Sequence, residues 1–563
     1  MTNINLKAFM TSKGRVATPQ SLKATKGQKR NRAGGFTFVI SDLDRAKRFL
    51  ILGSDDGFYA SGAELTKENA KALIRVAQGG QHRELVDAIV EVSVAGRAPK
   101  QDPALFALAI AASYGNVEEQ VYALAQLPRV ARTATALFGF LTYVQGFRGW
   151  GRALTRAVAA WYTEKSVDQV SYQAVKYRQR DGWTHRDVFR KAHPRSVDPA
   201  FKGLGEWILR GDVAAAPALV QGFVKAQAFA AAQVADASAL PGIVREYGLT
   251  WEMLPTAALN DREVWEALLG DNSQGGSVPL GALIRQLPRL TRIGLIAPMS
   301  EATEAVAARL TDPEALRKAR IHPLHLLVAQ RTYASGRSPR GDATWVPVQR
   351  IADALDQAFY ASFAAVEPAG KRTLIALDVS GSMSWGSVAG VPLTPREASA
   401  GLALVLAATE PMTHIIGFTG GGRAWAPPGA ARVRVAGQGA YSRQVSELRV
   451  SPRMRLDDAV REVCDLPFGR TDCALPMLYA LERKLAVDTF VVITDNETWA
   501  GDIHPHQALA NYRYAMGIDA RLVVLATSAS KFTIADPGDA GMLDIAGFDA
   551  AVPGLVTEFS RGF

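Results

Sequence analysis

Two apolar runs in the carboxyl-terminal half of the chain each end on an aspartate, and this pairing restricts the fold more than any other feature. Thr373-Leu374-Ile375-Ala376-Leu377 leads into Asp378, and Phe490-Val491-Val492-Ile493-Thr494 leads into Asp495. Short unbroken apolar runs bounded by polar loop residues read as buried parallel strands. Strand-like and helical patterns alternate over 373–378, 396–409, 414–419, 456–464, 475–484, 489–495, 506–514 and 521–526. That alternation predicts an α/β domain on a doubly wound parallel sheet, here residues 369–563. In such sheets ligands gather beyond the carboxyl ends of the strands, which is where both aspartates fall.

Upstream the texture differs. From about residue 34 to 368 apolar residues recur at helical spacing, over 67–77, 81–95, 104–114, 117–125, 131–144, 152–165, 169–180 and 350–363. Asp102-Pro103 marks a helix start, Thr184 with Asp187 resembles a capping box, and Gly115 and Gly182 fall where helix ends need left-handed backbone. Many helices without a strand pattern suggest stacked helical pairs, as in degenerate HEAT-type solenoids.

Asp378, Ser380 and Ser382 share the run Asp378-Val379-Ser380-Gly381-Ser382-Met383, Thr471 follows Gly469-Arg470, and Asp495 closes the second run. Asp and Ser in loops commonly cap backbone groups. Five oxygen donors, with no Cys or His among them, instead fit a hard octahedral cation, Mg²⁺ first. The pattern resembles the metal-ion-dependent adhesion site of von Willebrand factor A domains.

The 563 residues suffice for two or more domains with substantial cores. No run of eighteen apolar residues predicts a membrane span, and the first residues lack a signal-peptide core. Cys464 and Cys473 are the two cysteines, which fits buried thiols in a reducing cytoplasm. The net charge is +10, and residues 1–33 hold eight basic residues and no acid. That basic tail is expected to be disordered, either a solubilising terminus or an arm for polyanions. A second basic segment, residues 176–195, sets seven Lys and Arg against Asp181 and Asp187. In the predicted helix 169–180, Lys176 and Arg180 share one face and could straddle neighbouring phosphates. A second helix then carries Arg190, Lys191 and His193. A basic helix face is also the ordinary form of a solvated surface. Tyr177, Trp183 and Phe189 fit core positions better than base stacking, and His322 and His325 fit helix packing.

Longer motifs carry a resemblance. They include Asp42-Leu43-Asp44-Arg45, Gly149-Trp150-Gly151-Arg152, Lys176-Tyr177-Arg178-Gln179-Arg180-Asp181-Gly182-Trp183, Ile321-His322-Pro323-Leu324-His325, Gly469-Arg470-Thr471-Asp472-Cys473 and Thr494-Asp495-Asn496-Glu497-Thr498. From residue 34 onward the chain resembles the TROVE-domain proteins, the family of the Ro autoantigen. The resemblance implies a ring of HEAT-like α-helical repeats (34–368) closed by a von Willebrand factor A-like domain. It implies Y-type small noncoding RNA on the outer ring surface, touching the positions of Lys176, Arg180 and His193; Arg190 and Lys191 are added from their charge. It further implies single-stranded 3′ ends of misfolded RNA in the ring, a partner exoribonuclease such as polynucleotide phosphorylase, and no catalytic activity. Two features exceed the family pattern: the basic tail, and a Gly- and Arg-rich insertion over 420–455, expected to be a long loop or loose hairpin that could touch RNA. The competing reading is an A domain that binds a protein through its metal, with RNA incidental. A metal-dependent hydrolase ranks last, because one metal site appears and no phosphate-cradling loop does.

Overall fold

The computed structural model describes residues 17–231, 238–270, 278–339, 341–363, 367–425, 436–451 and 454–562. The amino-terminal part is helical where apolar spacing predicts it, and its helices start on capping side chains. Ser41, Ser61, Asn116, Ser166 and Ser300 each accept a hydrogen bond from the N–H three residues on, opening the helices Asp42–Leu52, Gly62–Gln78, Val117–Ala125, Val167–Lys176 and Glu301–Thr311. The stacked helices form a ring that the carboxyl-terminal α/β domain closes. Among the described residues no helix is long and apolar enough to cross a membrane.

The expected tail is disordered nowhere that can be described. Residues 17–33 pack on the α/β domain, and residues 1–16 lie outside the described residues. Strand β1 (Lys29–Arg30) pairs with β2 (Phe36–Val39). The segment lacks a core of its own, so its composition reads as disorder; it is ordered by surface that another domain supplies.

A second correction concerns the predicted helix 169–180. The helix Val167–Lys176 stops at Lys176, and the chain turns into a two-stranded hairpin, β3 (Gln179–Arg180) and β4 (Trp183–Thr184). Asp181 and Gly182 form its tip with φ of 50° and 80°, the left-handed pair that a tight hairpin turn requires. Gly182 therefore serves a hairpin and not a helix end. Lys176 and Arg180 do not share a helix face.

In the α/β domain the strands β5 (Thr373–Asp378), β6 (Thr413–Phe418), β7 (Gly420–Trp425), β8 (Val445–Glu447), β9 (Phe468–Arg470), β10 (Thr489–Thr494), β11 (Arg521–Ala526), β12 (Phe532–Thr533) and β13 (Met542–Ala546) follow in chain order. The main sheet runs β13-β11-β10-β5-β6-β8. Its first five strands are parallel, while β8 is antiparallel to β6, so the sheet is mixed at that edge. The strand β8 comes from the insertion, which is thus no simple loop: β7 pairs with β9 and β8 extends the sheet. Residues 426–435 and 452–453 of the insertion lie outside the described residues.

Side-chain alternation divides the sheet between two cores. Ile375, Leu377, Val491, Ile493, Val523 and Leu525 join a buried cluster continuous with the helical ring. Leu374, Ala376, Phe490, Val492, Leu522 and Val524 join the second, beneath the helices Leu475–Glu482 and Pro505–Met516.

The ring closes through polar contacts at both of its ends. The guanidinium of Arg48 is 3% exposed; it donates to the carbonyls of Ser530 (2.9 Å) and Phe532 (2.8 Å) and pairs with Asp544. Beside it β2 pairs antiparallel with β12, and Arg97 meets Asp549 at 3.3 Å. At the far end Arg455 bonds Asp353 at 2.8 Å and Arg331 meets Glu397 at 2.6 Å. The two helical ends also touch, with His322 Nε2 lying 3.2 Å from the Arg97 carbonyl oxygen.

Replacing Arg48 by Ala strands a half-buried carboxylate and two carbonyls at this joint. The expected loss of unfolding free energy in urea is about 3–5 kcal/mol. The surface pair Arg350–Glu304 is the control, with a loss below about 1 kcal/mol for Arg350→Ala.

Candidate metal centre and nucleic-acid interface

Register sets the metal centre. In the β5–β10 pairing Leu377 faces Ile493, so Asp378 and Asp495 leave the sheet side by side at its carboxyl edge. Asp378 is fully buried and accepts from Thr494 Oγ1 (2.7 Å) and from the Ser380 N–H (2.9 Å). The Ser380 and Ser382 hydroxyls lie 3.2 Å apart, and Ser382 donates to Asp495. Thr471 is buried just after β9, and its carbonyl accepts from the N–H groups of Trp499 (3.1 Å) and Ala500 (3.0 Å). Asp378, Ser380, Ser382 and Asp495 are thus joined at one crest, and Thr471 is buried in the loop after β9.

Among the described residues no cation forms an ion pair with Asp378 or Asp495. Burial, with the charge of Asp495, raises the Asp378 pKa to about 7, and burial raises that of Asp495. The buried guanidinium of Arg396 is engaged with the carbonyls of Val463 and Leu466 and with Ser384 Oγ. Two carboxylates and three hydroxyls, with the neighbouring Arg396 hydrogen-bonded elsewhere, fit a hard divalent cation. No group of three or more His, Cys, Asp or Glu suited to a metal occurs among the described residues. The hydroxyls would thus be essential to any cation held here.

Three neighbours escape the sequence reading. Glu497 Oε2 accepts from the N–H groups of Arg32 (2.8 Å) and Ala33 (3.0 Å), and burial and Asp495 raise its pKa to about 7. Gln20 donates to Asp472 Oδ1 (2.7 Å) and to the Ile503 carbonyl (2.9 Å) and accepts from Thr498 Oγ1 (2.5 Å). A Cβ at Gly35 would collide with the Thr498 carbonyl, so only glycine lets this strap lie so close. Tyr59 belongs to a ring loop that lines, with Asp55, Asp56 and Phe58, the cleft into which Ser382 and Asp495 open. That loop is fastened by a hydrogen bond from the Gly390 N–H to Asp55. Gly386 (φ 77°) lies so near the Asp56 carbonyl that any side chain there would clash. The run Asp55-Asp56-Gly57 is the sole sequence signal for this roof.

The predicted RNA residues divide by exposure. The Lys176 side chain is 9% exposed, pairs with Glu252 at 3.2 Å and donates to Tyr172 Oη at 2.7 Å. Burial opposes its charge, but Tyr172, Tyr177 and Glu252 outweigh this and keep its pKa raised. Its amine is therefore committed to the protein, contrary to the phosphate-straddling expectation. Arg180 is exposed on the hairpin, 3.3 Å from Asp181. Arg190 and Lys191 lie exposed in the last turn of the helix His185–Ala192, with Lys191 Nζ 5.3 Å from the centre of the Trp150 ring. His193 is exposed and caps that helix in left-handed backbone, φ 47°. Arg186 and Arg195 are also exposed. Asp187 does not neutralise this group, because it closes the capping box with Thr184 at 3.0 Å. Trp183 and Phe189 are buried, and His185 is held neutral in the core, its pKa lowered by burial to about 4.

A helical ring clasped by an A domain whose sheet crest carries an adhesion-type oxygen-donor set defines a distinct class of protein. The Ro60 von Willebrand factor A domain family matches residues 372–560, and the TROVE domain family matches residues 29–216 and 245–332. The chain is 41% identical over 552 residues to a Deinococcus radiodurans protein named RNA-binding protein RO60, covering 97% of each. It is 35% identical over 619 residues to the protein of the same name from Caenorhabditis elegans, covering 96% of this chain and 91% of that one. The crystal structure of Deinococcus radiodurans Ro superposes with a TM-score of 0.66 at 39% identity, over 93% of this chain and all of that one. The chain belongs to the Ro60 family.

The acids of the crest give a pH signature. With pKa values raised above the ordinary carboxylate range, Asp378, Asp495 and Glu497 hold protons in the fold that the unfolded chain releases. Stability of the metal-free protein should accordingly fall as pH rises from about 4 to about 7. In urea titrations with chelator present, Asp378→Asn should make this decline shallower. An equal slope in both proteins would show that Asp378 does not titrate there.

Proposed function

We propose that this chain is a noncoding-RNA-binding scaffold of the cytoplasm, not an enzyme. In this reading the surface from the hairpin tip to the end of the helix His185–Ala192 holds Y-type RNA. One observation carries it: Arg186, Arg190, Lys191 and Arg195 are exposed together, while the acids of the segment are occupied by Arg180 and by the helix cap. Such a group attracts phosphate and releases counterions when it binds. Arg180, Arg190, Lys191 and His193 are the contact residues, and Lys176 positions the hairpin from within. The names of the relatives support RNA as the ligand. Single-stranded 3′ ends of misfolded RNA in the ring, and delivery to an exoribonuclease such as polynucleotide phosphorylase, complete a role in RNA quality control. The free thiols Cys464 and Cys473 are consistent with a reducing compartment.

The competing reading, an A domain that recruits a protein through its metal, is disfavoured by the roof. The cleft beside Ser382 and Asp495 is walled by the ring loop carrying Asp55, Asp56, Phe58 and Tyr59. In our reading Mg²⁺, held by Asp378, Ser380, Ser382, Thr471 and Asp495, neutralises the crest and stiffens the joint between ring and A domain. The insertion as an RNA contact is weakened at one point, since Arg455 is bonded to Asp353.

Triple replacement of Arg180, Arg190 and Lys191 by Ala should make the plot of log affinity for a Y-type RNA against log salt shallower by about 2–3, as each lost phosphate contact removes about 0.9. Lys176→Met should lower the unfolding midpoint with less effect on that slope. Undiminished affinity and slope in the triple variant would remove the surface from consideration. Mg²⁺ should raise the unfolding midpoint of the wild type, more at pH 8 than at pH 5, and leave that of Asp378→Asn unchanged; equal gains in both proteins would place the ion elsewhere.

A further inference from the structure

The hairpin β3–β4 is too short to hold itself in place, with two residues in each strand. An isolated two-stranded hairpin is marginal in water, so its position is set by what packs on it. Strand β4 has firm anchors. Trp183 is buried with its ring centre 5.8 Å from that of Trp150, and Thr184 opens the next helix through its capping box. Strand β3, which carries Arg180, is exposed at both of its residues. It is held instead through the segment that leads into it, Lys176-Tyr177-Arg178, and two residues far downstream grip that segment.

The first is Glu252, in the single 3₁₀ turn Trp251–Met253. Its Oε1 meets the Lys176 amine at 3.2 Å, with the side chains 19% and 9% exposed. The amine also lies 5.0 and 5.2 Å from the ring centres of Tyr172 and Tyr177, so two rings and one carboxylate surround it. Glu252 Oε2 is buried without a hydrogen-bond partner among the described residues. Pulling Lys176 away would leave this carboxylate uncompensated in a low-dielectric site, which ties the two together. The second residue is Phe223, buried on the helix Ala218–Ala231. The Arg178 guanidinium stands 5.4 Å from its ring centre, a cation–π contact. Gln227, one turn beyond Phe223, donates through Nε2 to the Met253 carbonyl at 2.8 Å. Helix and turn are thereby joined, and both grips belong to one unit.

We propose that Glu252 and Phe223 are positioning residues for RNA: they clamp segment 176–178 from the next helical unit and so keep Arg180 fixed relative to Arg190 and Lys191. This role rests on the reading of the hairpin surface as the RNA contact. Neither residue touches the ligand. An acid repels phosphate, and Phe223 is buried beside the exposed Arg178. A loosened hairpin holds the binding arrangement only part of the time, and the apparent affinity falls by that fraction. The number of phosphates neutralised stays the same, so the salt dependence does not move. That separates positioning from contact.

The full-length protein is titrated with a Y-type RNA over a range of salt, and amide hydrogen exchange of residues 178–184 is followed in the protein alone. Glu252→Gln should weaken binding by about fivefold or more at unchanged salt slope, and should speed exchange in the hairpin. Arg180→Ala, the contact control, should flatten the slope by about 0.9 and leave hairpin exchange as it was. The losses from Lys176→Met and Glu252→Met should not add, so the double variant should bind no worse than either single one. Should Glu252→Gln fail to fold, Phe223→Leu carries the test, with a loss of about threefold at unchanged slope. Wild-type protein that fails to bind the RNA sinks the RNA reading, and this role with it. Wild-type binding that the folded variants leave undiminished, or weaken only with a flattened slope, overturns the positioning role alone.

Discussion

The architecture depends on the joint at which Arg48 enters the A domain. A guanidinium, with its planar fork of N–H donors, satisfies two carbonyls and a carboxylate at once from a buried position. It ties the first helix of the ring to β12 and to the edge strand β13, and the pairing of β2 with β12 continues the tie through the backbone. A stack of helices has open ends and exposed flanking surface. Here the same A domain takes up both ends, and the contact of His322 with the Arg97 carbonyl lets the ends meet each other.

Closure places the A-domain crest against the ring. The donors Asp378, Ser380, Ser382, Thr471 and Asp495 therefore stand under a roof built by residues far upstream, not at a free adhesive face. The amino-terminal strap through Gln20, Arg32 and Ala33 holds the loops around Thr471 and Asp495 from a second side. Strap and roof act on one loop cluster, so charge at the crest is coupled to the geometry of the ring. One cationic feature lies at the hairpin and the helix after it. The other lies in the cleft where the ring closes, lined by Lys100, Arg285, Arg289, Arg292 and Arg320, next to the roof at Gly390.

Legibility followed how local the determining physics was. The strands β5 and β10 were readable because short unbroken apolar runs ending on Asp have few other solutions. The capping box at Thr184 and Asp187 was readable for the same reason. The predicted helix 169–180 overruns the observed one because its apolar spacing continues past Lys176, although Asp181-Gly182 is a strong two-residue hairpin signal. That error put Lys176 on a surface face, whereas the hairpin fold-back buries its amine against Tyr172 and Glu252. Residues 17–33 looked disordered because their order comes from partners hundreds of positions away, such as Asp472 for Gln20. The insertion hid β8 because Val445–Glu447 is a short edge strand whose identity depends on meeting β6.

The sequence by itself determined the helical and α/β halves and the family, and it named five oxygen donors as candidate metal ligands, since periodicity and strand-end chemistry are local and survive without a partner. Tertiary structure alone decided that Lys176 is an inward-facing residue, that the oxygen-donor crest is roofed by the ring, and that among the described residues five cations share one cleft without an acid. Each of these depends on which distant surfaces are pressed together. Burial and charge pairing are properties of that contact, and no stretch of the chain encodes them alone.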